Sequence, residues 1–225
     1  MKKKRAIVVK DVFRGDNKIK EFDEYHAIVY ASSQLFYHAG LHKSMITINA
    51  ICQFANIKHP ATKTKIKKAL LELIEIGLIE VENVSGSDKI GNNDALLISI
   101  PQIILSDDKF TTINSQFVTD IITHNSSITE RGNMLLVYMV LAQYMGDKLI
   151  AYPNIETIAG AAQLSTQTVH TALQNLRALG VITYGNEGAH KKDDGTISKK
   201  NNVYAFMDVD KAEEIVDFYT QKKKK

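Results

Sequence analysis

The sequence has no tryptophan, only three prolines and a single cysteine, Cys52. One cysteine cannot form a disulfide within the chain, which excludes a disulfide-stabilised secreted scaffold and favours a reducing compartment. No apolar run approaches the roughly 20 residues that a helix needs to cross a bilayer. The apolar segment 6–9, which follows basic residues, is too short for the core of a signal peptide. We therefore expect a cytoplasmic protein with no membrane partner.

Sequence motifs of catalysis are also missing. There is no glycine-rich phosphate loop of the G-x-x-x-x-G-K-[ST] type, which argues against nucleotide hydrolysis. His38 and His42 have the spacing of two metal ligands on a helix, but Gly40 between them predicts a helix end, so we expect no metal site. The sequence therefore predicts a protein that is not an enzyme and that uses no cofactor.

Positive charge is concentrated at the two ends of the sequence. The chain has 28 Lys and Arg residues against 25 Asp and Glu residues, a formal net charge of +3. Eight of the 28 lie in 2–5 and 222–225, which leaves 20 basic residues against the 25 acidic ones. These ends either attract a polyanion or only keep the chain in solution. Evidence for nucleic-acid binding must therefore come from local patterns.

Two segments of the chain share one pattern of apolar residues. The first covers 47–79 and the second 154–182, and the first contains four additional residues, 58–61. The matching pairs are Ile48 and Ile155, Ile51 and Ile158, Ala55 and Ala162, Ile66 and Val169, Ala69 and Ala172, Leu70 and Leu173, Leu73 and Leu176, Gly77 and Gly180, and Ile79 and Ile182. Because positions at this spacing face the interior of a packed unit, the pattern indicates an internal structural repeat.

The second segment has the features of a winged helix-turn-helix. Asn154 is a good N-cap for a short helix, and Ser165 is a good N-cap for a second helix that Gly180 terminates. The β-branched and aromatic residues of 181–184 and 203–207 predict two strands, joined by a polar stretch that is rich in lysine. Helix, turn, helix and a two-stranded hairpin together predict the winged fold.

The repeat also organises the rest of the chain. Helices are predicted over about 21–37 and 129–144, ahead of the two repeat segments, and an amphipathic helix is predicted over 210–221. With 44% hydrophobic residues the chain can bury extended cores. We predict an α+β fold, mainly α with small β wings: two tandem winged helix-turn-helix domains joined by a connector and followed by a C-terminal helix. The predicted boundaries are 1–20 for a basic arm that can include a strand, 21–101 for domain 1, 102–127 for the connector, 128–208 for domain 2, and 209–225 for the C-terminal helix and basic tail.

The second helix of a helix-turn-helix enters the major groove of DNA, so its outward side chains are the candidates for base recognition. Amide side chains can bond adenine, arginine can bond guanine, and threonine can contact bases through its oxygen or its methyl group. In domain 2 the predicted DNA-binding residues of this helix are Thr166, Gln167, Thr168, His170, Thr171, Gln174 and Arg177. The alternative interpretation is that they are ordinary polar surface residues.

Lysines outside that helix, in the wing of domain 2 and in domain 1, are candidates for contacts to DNA phosphates. The wing of domain 2 carries Lys191, Lys192, Lys199 and Lys200, and the second helix of domain 1 carries Lys63, Lys65 and Lys67. The helix of domain 1 lacks the amides, so it suits phosphates better than bases. The alternatives are a solvated surface and, for domain 1, a role in dimerisation.

The stretch 136–182, LVYMVLAQYMGDKLIAYPNIETIAGAAQLSTQTVHTALQNLRALGVI, resembles the helix-turn-helix region of replication-initiation and primosome-loading proteins from Gram-positive phages and plasmids. It is also similar to winged-helix transcription regulators. The resemblance extends over about 129–207 and, through the repeat, loosely over 25–100. It implies tandem winged helices, of which one mainly dimerises while the other reads repeated sites in double-stranded DNA.

These observations lead to the hypothesis of a sequence-specific double-stranded-DNA-binding protein of a mobile element. Its role would be replication initiation or transcriptional regulation, and it would read the major groove with the second helix of domain 2. The expected partners are DNA, a second copy in a homodimer, and the replication or transcription machinery. The alternative is a protein–protein assembly module of a replication or conjugation complex, for which DNA contact is incidental.

Overall fold

A computed structural model describes residues 5–8, 22–38, 43–84, 90–99, 111–145, 150–186, 189–191, 197–199, 202–208 and 210–221. These residues form eight α-helices and eleven short β-strands. All the strand pairs among them are antiparallel. The mixed α and β content agrees with the predicted α+β class, whereas the division into two winged domains stays a prediction.

The described part of the first half contains three helices and five strands. They are β1 (Arg5–Val8), α1 (Glu24–Leu35), β2 (Tyr37–His38), β3 (Lys43–Ile46), α2 (Ile48–Phe54), α3 (Pro60–Glu75), β4 (Glu80–Val81) and β5 (Leu96–Ser99). Strands β2, β3, β5 and β4 form one sheet in that spatial order. The helix predicted over 21–37 was too long, because Asp23 caps the first turn of α1 and Tyr37 already belongs to β2.

The described part of the second half contains five helices and six strands. They are β6 (Thr111–Asn114), α4 (Ser115–Thr123), α5 (Ile128–Met145), β7 (Ile150–Ala151), α6 (Ile155–Ala162), α7 (Thr166–Ala178), β8 (Ile182–Asn186), β9 (Ala189–Lys191), β10 (Ile197–Lys199), β11 (Asn202–Phe206) and α8 (Ala212–Gln221). Strands β7, β11 and β8 form one sheet in that order, and β9 pairs with β10.

The predicted connector is part of the packed fold where the structure describes it. Residues 102–110 lie outside the described ranges, but β6 pairs with β1 and α4 follows directly. Val118, Ile121 and Ile122 of α4 are fully buried. The later part of the predicted connector therefore contributes to the hydrophobic core.

The two repeat segments have the same local structure. Each contains a helix pair, α2 with α3 and α6 with α7, followed by a strand (β4 and β8) that pairs with a later strand (β5 and β11). The predicted apolar positions are buried in both segments, except that Ile155 is only partly buried. The internal repeat predicted from spacing is therefore confirmed at the level of helices and buried positions.

The second helix of each pair also ends in the same way. Gly77 and Gly180 have φ angles of +75° and +68°, in the left-handed region. After each glycine, the backbone N–H of the next residue bonds to a carbonyl oxygen five residues earlier, at 3.0 Å for Leu78 and 2.9 Å for Val181. This is the Schellman arrangement, which glycine adopts without the steric cost of a Cβ atom.

Helices α1 and α5 pack against each other at the centre of the molecule, with α3 on α1 and α7 on α5. Most of the buried apolar residues of the two halves form one continuous cluster. At Gly132 of α5 an added Cβ would lie 2.6 Å from the carbonyl oxygen of Glu24. Only glycine permits this approach, so the backbone of α5 at Gly132 lies directly against Glu24 at the start of α1.

A buried arginine on α5 connects this helix to the ends of α2 and α4. Arg131 is 5% exposed, and its Nη1 donates to the carbonyl oxygens of Ala55 and Ile122, each at 2.6 Å. These carbonyls lie at the C-terminal ends of α2 and α4, where the helix dipole is negative. Burial lowers the pKa of Arg131. The arginine thus links elements that are far apart in the sequence.

A buried histidine connects α1 to α3. Nδ1 of His26 lies 2.7 Å from Oδ1 of Asp23, and Nε2 lies 3.1 Å from Oε2 of Glu72. Burial by itself raises the pKa of Asp23, but the hydrogen bonds from the His26 side chain and from the backbone of the first turn lower it by more. Asp23 therefore serves both as the N-cap of α1 and as a partner of the histidine.

The C-terminal helix α8 covers the sheet that contains β8 and β11. Ala212 and Val216 of α8 form a small second cluster with Val203 and Ala205 of β11. The amphipathic helix predicted over 210–221 is therefore confirmed. The basic residues 1–4 and 222–225 lie outside the described ranges.

Candidate nucleic-acid interface

The candidate interface is built on α6 and α7, which are joined by a three-residue turn. Gln163 follows α6 in the left-handed conformation, with φ of 57°, and Leu164 donates its backbone N–H to the carbonyl oxygen of Ala159 at 3.0 Å. Ser165 then caps α7, because its Oγ accepts a hydrogen bond from the backbone N–H of Thr168 at 3.1 Å. The predicted Ser165 cap is confirmed, and the turn fixes the direction of α7 relative to α6.

Helix α7 has one buried and one exposed face. Its apolar residues Val169, Ala172, Leu173 and Leu176 are buried. Six of the seven predicted base-reading residues are exposed, namely Thr166, Gln167, His170, Thr171, Gln174 and Arg177. Their spacing of three and four residues places most of them on the face opposite the core. The predicted accessibility of this face is confirmed, whereas base reading by these residues stays a prediction.

Two threonines of the predicted set use their hydroxyl groups within α7. Thr168 is partly buried, and its Oγ1 lies 2.8 Å from Oγ of Ser165. Thr171 donates its hydroxyl to the carbonyl oxygen of Gln167 at 3.2 Å. Because these hydroxyl groups already have partners, the amides of Gln167 and Gln174 are the better candidates for contacts to bases.

The sequence around α7 contains no carboxylate. Glu156 in α6 and Glu187 after β8 are the nearest acidic residues along the chain on either side, so 157–186 carries none. A polyanion approaching this stretch meets no like charge from it. The positive end of the helix dipole lies at Thr166, which further favours an anionic partner.

The end of α7 contacts the wing through an arginine and a tyrosine. Cζ of Arg177 lies 5.2 Å from the ring centroid of Tyr184 in β8, a cation–π contact. The ring of Tyr184 lies 5.7 Å from that of Tyr204, its cross-strand neighbour in β11. Burial raises the pKa of Tyr204 to about 12, although a hydrogen bond from Asn202 acts in the opposite direction. Sequence reasoning assigned Tyr184 only to a strand, since nothing in its local pattern reveals the contact.

The wing is longer than predicted. The sequence predicted strands over 181–184 and 203–207 with a polar loop between them. In the structure β8 pairs with β11, with Asn186 opposite Asn202, and β9 continues in the same register with β10, with Lys191 opposite Ile197. Lys191 and Lys199 therefore lie on the paired strands of the wing, whereas Lys192 and Lys200 lie outside the described residues.

The lysines predicted on the equivalent helix of the first half are placed differently from the residues of α7. Lys63 and Lys67 are partly buried. Lys65 is exposed, but its Nζ lies 3.3 Å from the hydroxyl of Tyr25 and 4.9 Å from the centroid of that ring. The long side chain of Lys65 thus packs along α1. Contact of these three lysines with phosphates stays a prediction.

The described residues give no sign of a membrane segment or of a metal centre. None of their helices combines the length and the apolar character that crossing a bilayer requires. Nor do they bring together three or more His, Cys, Asp or Glu side chains in a position to hold an ion.

Comparison with protein-family models matches residues 132–182 to a helix-turn-helix domain. The matched residues include most of α5 and all of β7, α6 and α7. Comparison with curated proteins and with solved structures gave no match. The second half of this chain thus contains a helix-turn-helix domain, and the presence of this domain supports DNA as a partner.

Proposed function

We propose that this protein binds specific sequences of double-stranded DNA and reads the major groove with α7. The observation that carries the proposal is the exposed face of α7, where amide and guanidinium side chains stand on a helix without any carboxylate. A face that only meets solvent more often carries Glu and Lys, which form helices well. The helix-turn-helix domain matched over 132–182 supports the same interpretation.

The side chains of this face have the chemistry of base recognition. Gln167 and Gln174 can each form paired hydrogen bonds with adenine, and Arg177 can form them with guanine. These three positions lie at intervals of seven and three residues, so they follow one face of the helix. Thr166 adds a methyl group and a hydroxyl at the positive end of the helix.

The wing and α3 complete the proposed complex by holding DNA phosphates. Lys191 and Lys199 belong to β9 and β10 of the wing, Lys192 and Lys200 follow them directly in the sequence, and Lys63, Lys65 and Lys67 belong to α3. Phosphate contacts orient a protein on DNA without reading sequence. Under this proposal the two repeat segments are tandem winged helices, of which the second reads bases and the first holds the backbone or a second copy of the chain.

The proposed role is non-enzymatic, in replication initiation or transcriptional regulation of a mobile element. The resemblance of 136–182 to replication-initiation proteins supports the first role, and its similarity to winged-helix regulators supports the second. Both roles require the same event, the recognition of a short duplex by α7. The DNA sequence selected by the protein is therefore the first property to determine.

Selection from a pool of random duplexes tests the proposal. We expect one short sequence to be enriched. Affinity for that duplex and for an unrelated duplex is then measured at two salt concentrations. Gln167→Ala and Arg177→Ala should each cost about 1 to 3 kcal/mol at the selected site, because each removes a contact to a base edge. On the unrelated duplex the same variants should have a smaller effect.

Gln116→Ala provides the matched control. Gln116 is an exposed glutamine on α4, where its side chain bonds to Asp120 at 2.8 Å, and it lies outside the proposed interface. This variant should bind both duplexes as the parent protein does. The contrary result is that both α7 variants bind the selected duplex as well as the parent does, while removal of 222–225 abolishes binding. That result would show that α7 does not read the sequence.

The lysines give a separate measure of phosphate contact. Lys63→Ala, Lys65→Ala and Lys67→Ala should weaken binding to all duplexes equally, and each should reduce the slope of log affinity against log salt by about 1. An unchanged slope for all three would remove α3 from the proposed DNA interface and leave it to protein contacts.

A protein-assembly role is the second candidate, because one hairpin of the first half exposes apolar side chains. Phe36, Tyr37 and Met45 are 37%, 51% and 61% exposed. Contiguous patches of exposed apolar residues are typical of protein contact surfaces, and this candidate requires these side chains to form one. This candidate predicts that no duplex is enriched and that Met45→Lys prevents the chain from assembling with its partner.

A further inference from the structure

We infer that Tyr184 is a positioning residue that holds Arg177 of α7 for the recognition of one guanine, at the end of the DNA site next to the wing. This inference rests on the proposed reading of the major groove by α7. It adds a residue outside the recognition helix that determines specificity. It also gives β8, the strand of the wing that follows α7, a role distinct from that of the wing lysines.

The turn after α7 brings the two side chains together. Gly180 reverses the chain with its φ of +68°, and its backbone N–H bonds to the carbonyl oxygen of Arg177 at 3.0 Å. The chain then enters β8, where Tyr184 lies seven residues after the arginine. Cζ of Arg177 stands 5.2 Å from the centroid of the tyrosine ring. Among the described residues, Arg177 forms no ion pair with a carboxylate that would compete for this position.

The tyrosine is itself supported from behind. Tyr204 is directly opposite Tyr184 on β11, is fully buried, and has its ring 5.7 Å from the Tyr184 ring. The hydroxyl of Tyr204 accepts a hydrogen bond from Nδ2 of Asn202 at 2.8 Å, and Oδ1 of Asn202 accepts one from Asn186 at 3.0 Å. This series of contacts anchors the ring of Tyr184 in the wing, so the ring is a fixed support.

A fixed support matters for a guanidinium that must form two parallel hydrogen bonds. Arginine has many rotamers, and their loss on binding reduces affinity. A cation–π contact restricts the rotamers of the arginine and uses none of its N–H groups, which stay available for an acceptor. Paired bonds to a guanine need a defined plane, whereas a phosphate accepts many orientations. Tyr184 should therefore affect base discrimination more than overall attraction to DNA.

The first repeat segment lacks this arrangement. At the positions equivalent to Arg177, Tyr184 and Tyr204 it has Ile74, Val81 and Ile98, with Val81 opposite Ile98 in the sheet. An apolar packing contact in one copy thus corresponds to a cation and two aromatic rings in the other. Because the fold forms with either set, packing alone does not require the arginine–tyrosine pair.

Variants of Tyr184 test the inference on the selected duplex. Each base pair of that duplex is replaced in turn, and the pair at which Arg177→Ala loses discrimination is identified. At this pair Tyr184→Val should lower the discrimination about fivefold, in keeping with a cation–π contact of roughly 1 kcal/mol, with the salt slope unchanged. Tyr184→Phe should retain the discrimination, because it keeps the ring. Val is suited to the strand, since Val81 occupies the equivalent place in β4.

The controls separate positioning from folding. Gln116→Ala, which changes an exposed side chain on α4 outside the proposed interface, should leave discrimination unchanged. If thermal melting shows that Tyr184→Val does not fold, Tyr184→Thr, also β-branched, takes its place. Loss of discrimination in Arg177→Ala but full discrimination in the Tyr184 variants would overturn this inference and leave the proposed function intact.

Failure of the proposed function would look different. A pool that yields no enriched sequence would overturn both the proposed function and this inference. In another outcome a sequence is enriched, and Arg177→Ala binds it more weakly but still discriminates at each base pair as the parent does. Arg177 would then read no base. That result would overturn the inference alone, because Gln167 and Gln174 would still be able to read the sequence.

Discussion

The two helix pairs, α2–α3 and α6–α7, have nearly the same buried residues and very different surfaces. Leu70 and Leu173 occupy equivalent places in the core, and both are almost fully buried. The outward side of α3 instead carries Lys68 in an ion pair with Glu72 at 3.1 Å, whereas α7 carries amides and no acid. Packing restricts the buried positions to apolar residues of similar size, while the exposed positions can diverge with function.

The additional residues of the first segment change how its second helix begins. Helix α3 starts at Pro60, three positions earlier than the start of α7 would place it, and two of the four additional residues, Pro60 and Ala61, belong to the helix. The N-cap of α3 is His59, whose side chain makes no capping hydrogen bond, whereas Ser165 caps α7. The start of α7 thus has a side-chain capping hydrogen bond that the start of α3 lacks.

Replacement of Arg131 should have the largest effect, because this residue joins the two halves of the molecule. Arg131→Met should lower the free energy of unfolding by about 3 kcal/mol, since it removes two charge-assisted hydrogen bonds to buried carbonyls. Chemical denaturation measures this effect. Arg131→Lys, which keeps a cation able to donate to both carbonyls, should lose less. Equal stability of all three proteins would mean that α5 is not held to Ala55 and Ile122 in this way.

The two helix-ending glycines provide a matched test of the repeat. Gly77→Ala and Gly180→Ala should each lower the free energy of unfolding by about 1.5 kcal/mol, because both residues have positive φ and alanine is strained there. Neither site has an atom within 4 Å of the new Cβ, so strain should be the only cost. Thermal or chemical unfolding would show unequal losses if the ends of α3 and α7 were not equivalent.

The helix caps should give the smallest effect and should distinguish the two segments. Ser165→Ala should cost about 1 kcal/mol of stability, because Oγ of Ser165 accepts the backbone N–H of Thr168. His59→Ala should cost close to nothing, since no capping bond is lost. His59→Ser should instead stabilise α3 by a few tenths of a kcal/mol. Equal losses for Ser165→Ala and His59→Ala would contradict the difference between the two helix starts.

The helices of the repeat were predictable from sequence, and several strands were not. Apolar spacing together with Ser165 and Gly180 located α7 closely, because a helix forms its hydrogen bonds within one segment. Strands β2, β3 and β7 were missed, as were β9 and β10 within the polar part of the wing. A strand of two to four residues depends on a partner elsewhere in the chain, so local composition carries little information about it.

The sequence predicted which kinds of side chain the candidate site exposes, but it did not predict which residues those side chains contact. The exposed amides of α7 followed from helical spacing once the buried face was assigned. The contact of Arg177 with Tyr184 was not predicted, nor was the packing of Lys65 on Tyr25, because each depends on how two elements meet. The same holds for Arg131, whose partners lie 76 and 9 residues away along the chain.

The amino-acid sequence by itself determined the repeat, the helix pairs with their buried residues, and the chemical character of the exposed face of α7. These properties depend on spacing and on local hydrogen bonding, which are present in any short stretch of the chain. Only the tertiary structure decided that α1 and α5 pack together at Gly132, that Arg131 bonds to two separate helix ends, and that a tyrosine of the wing supports Arg177. Those contacts arise where separate helices and strands pack closely against each other, which no local pattern encodes.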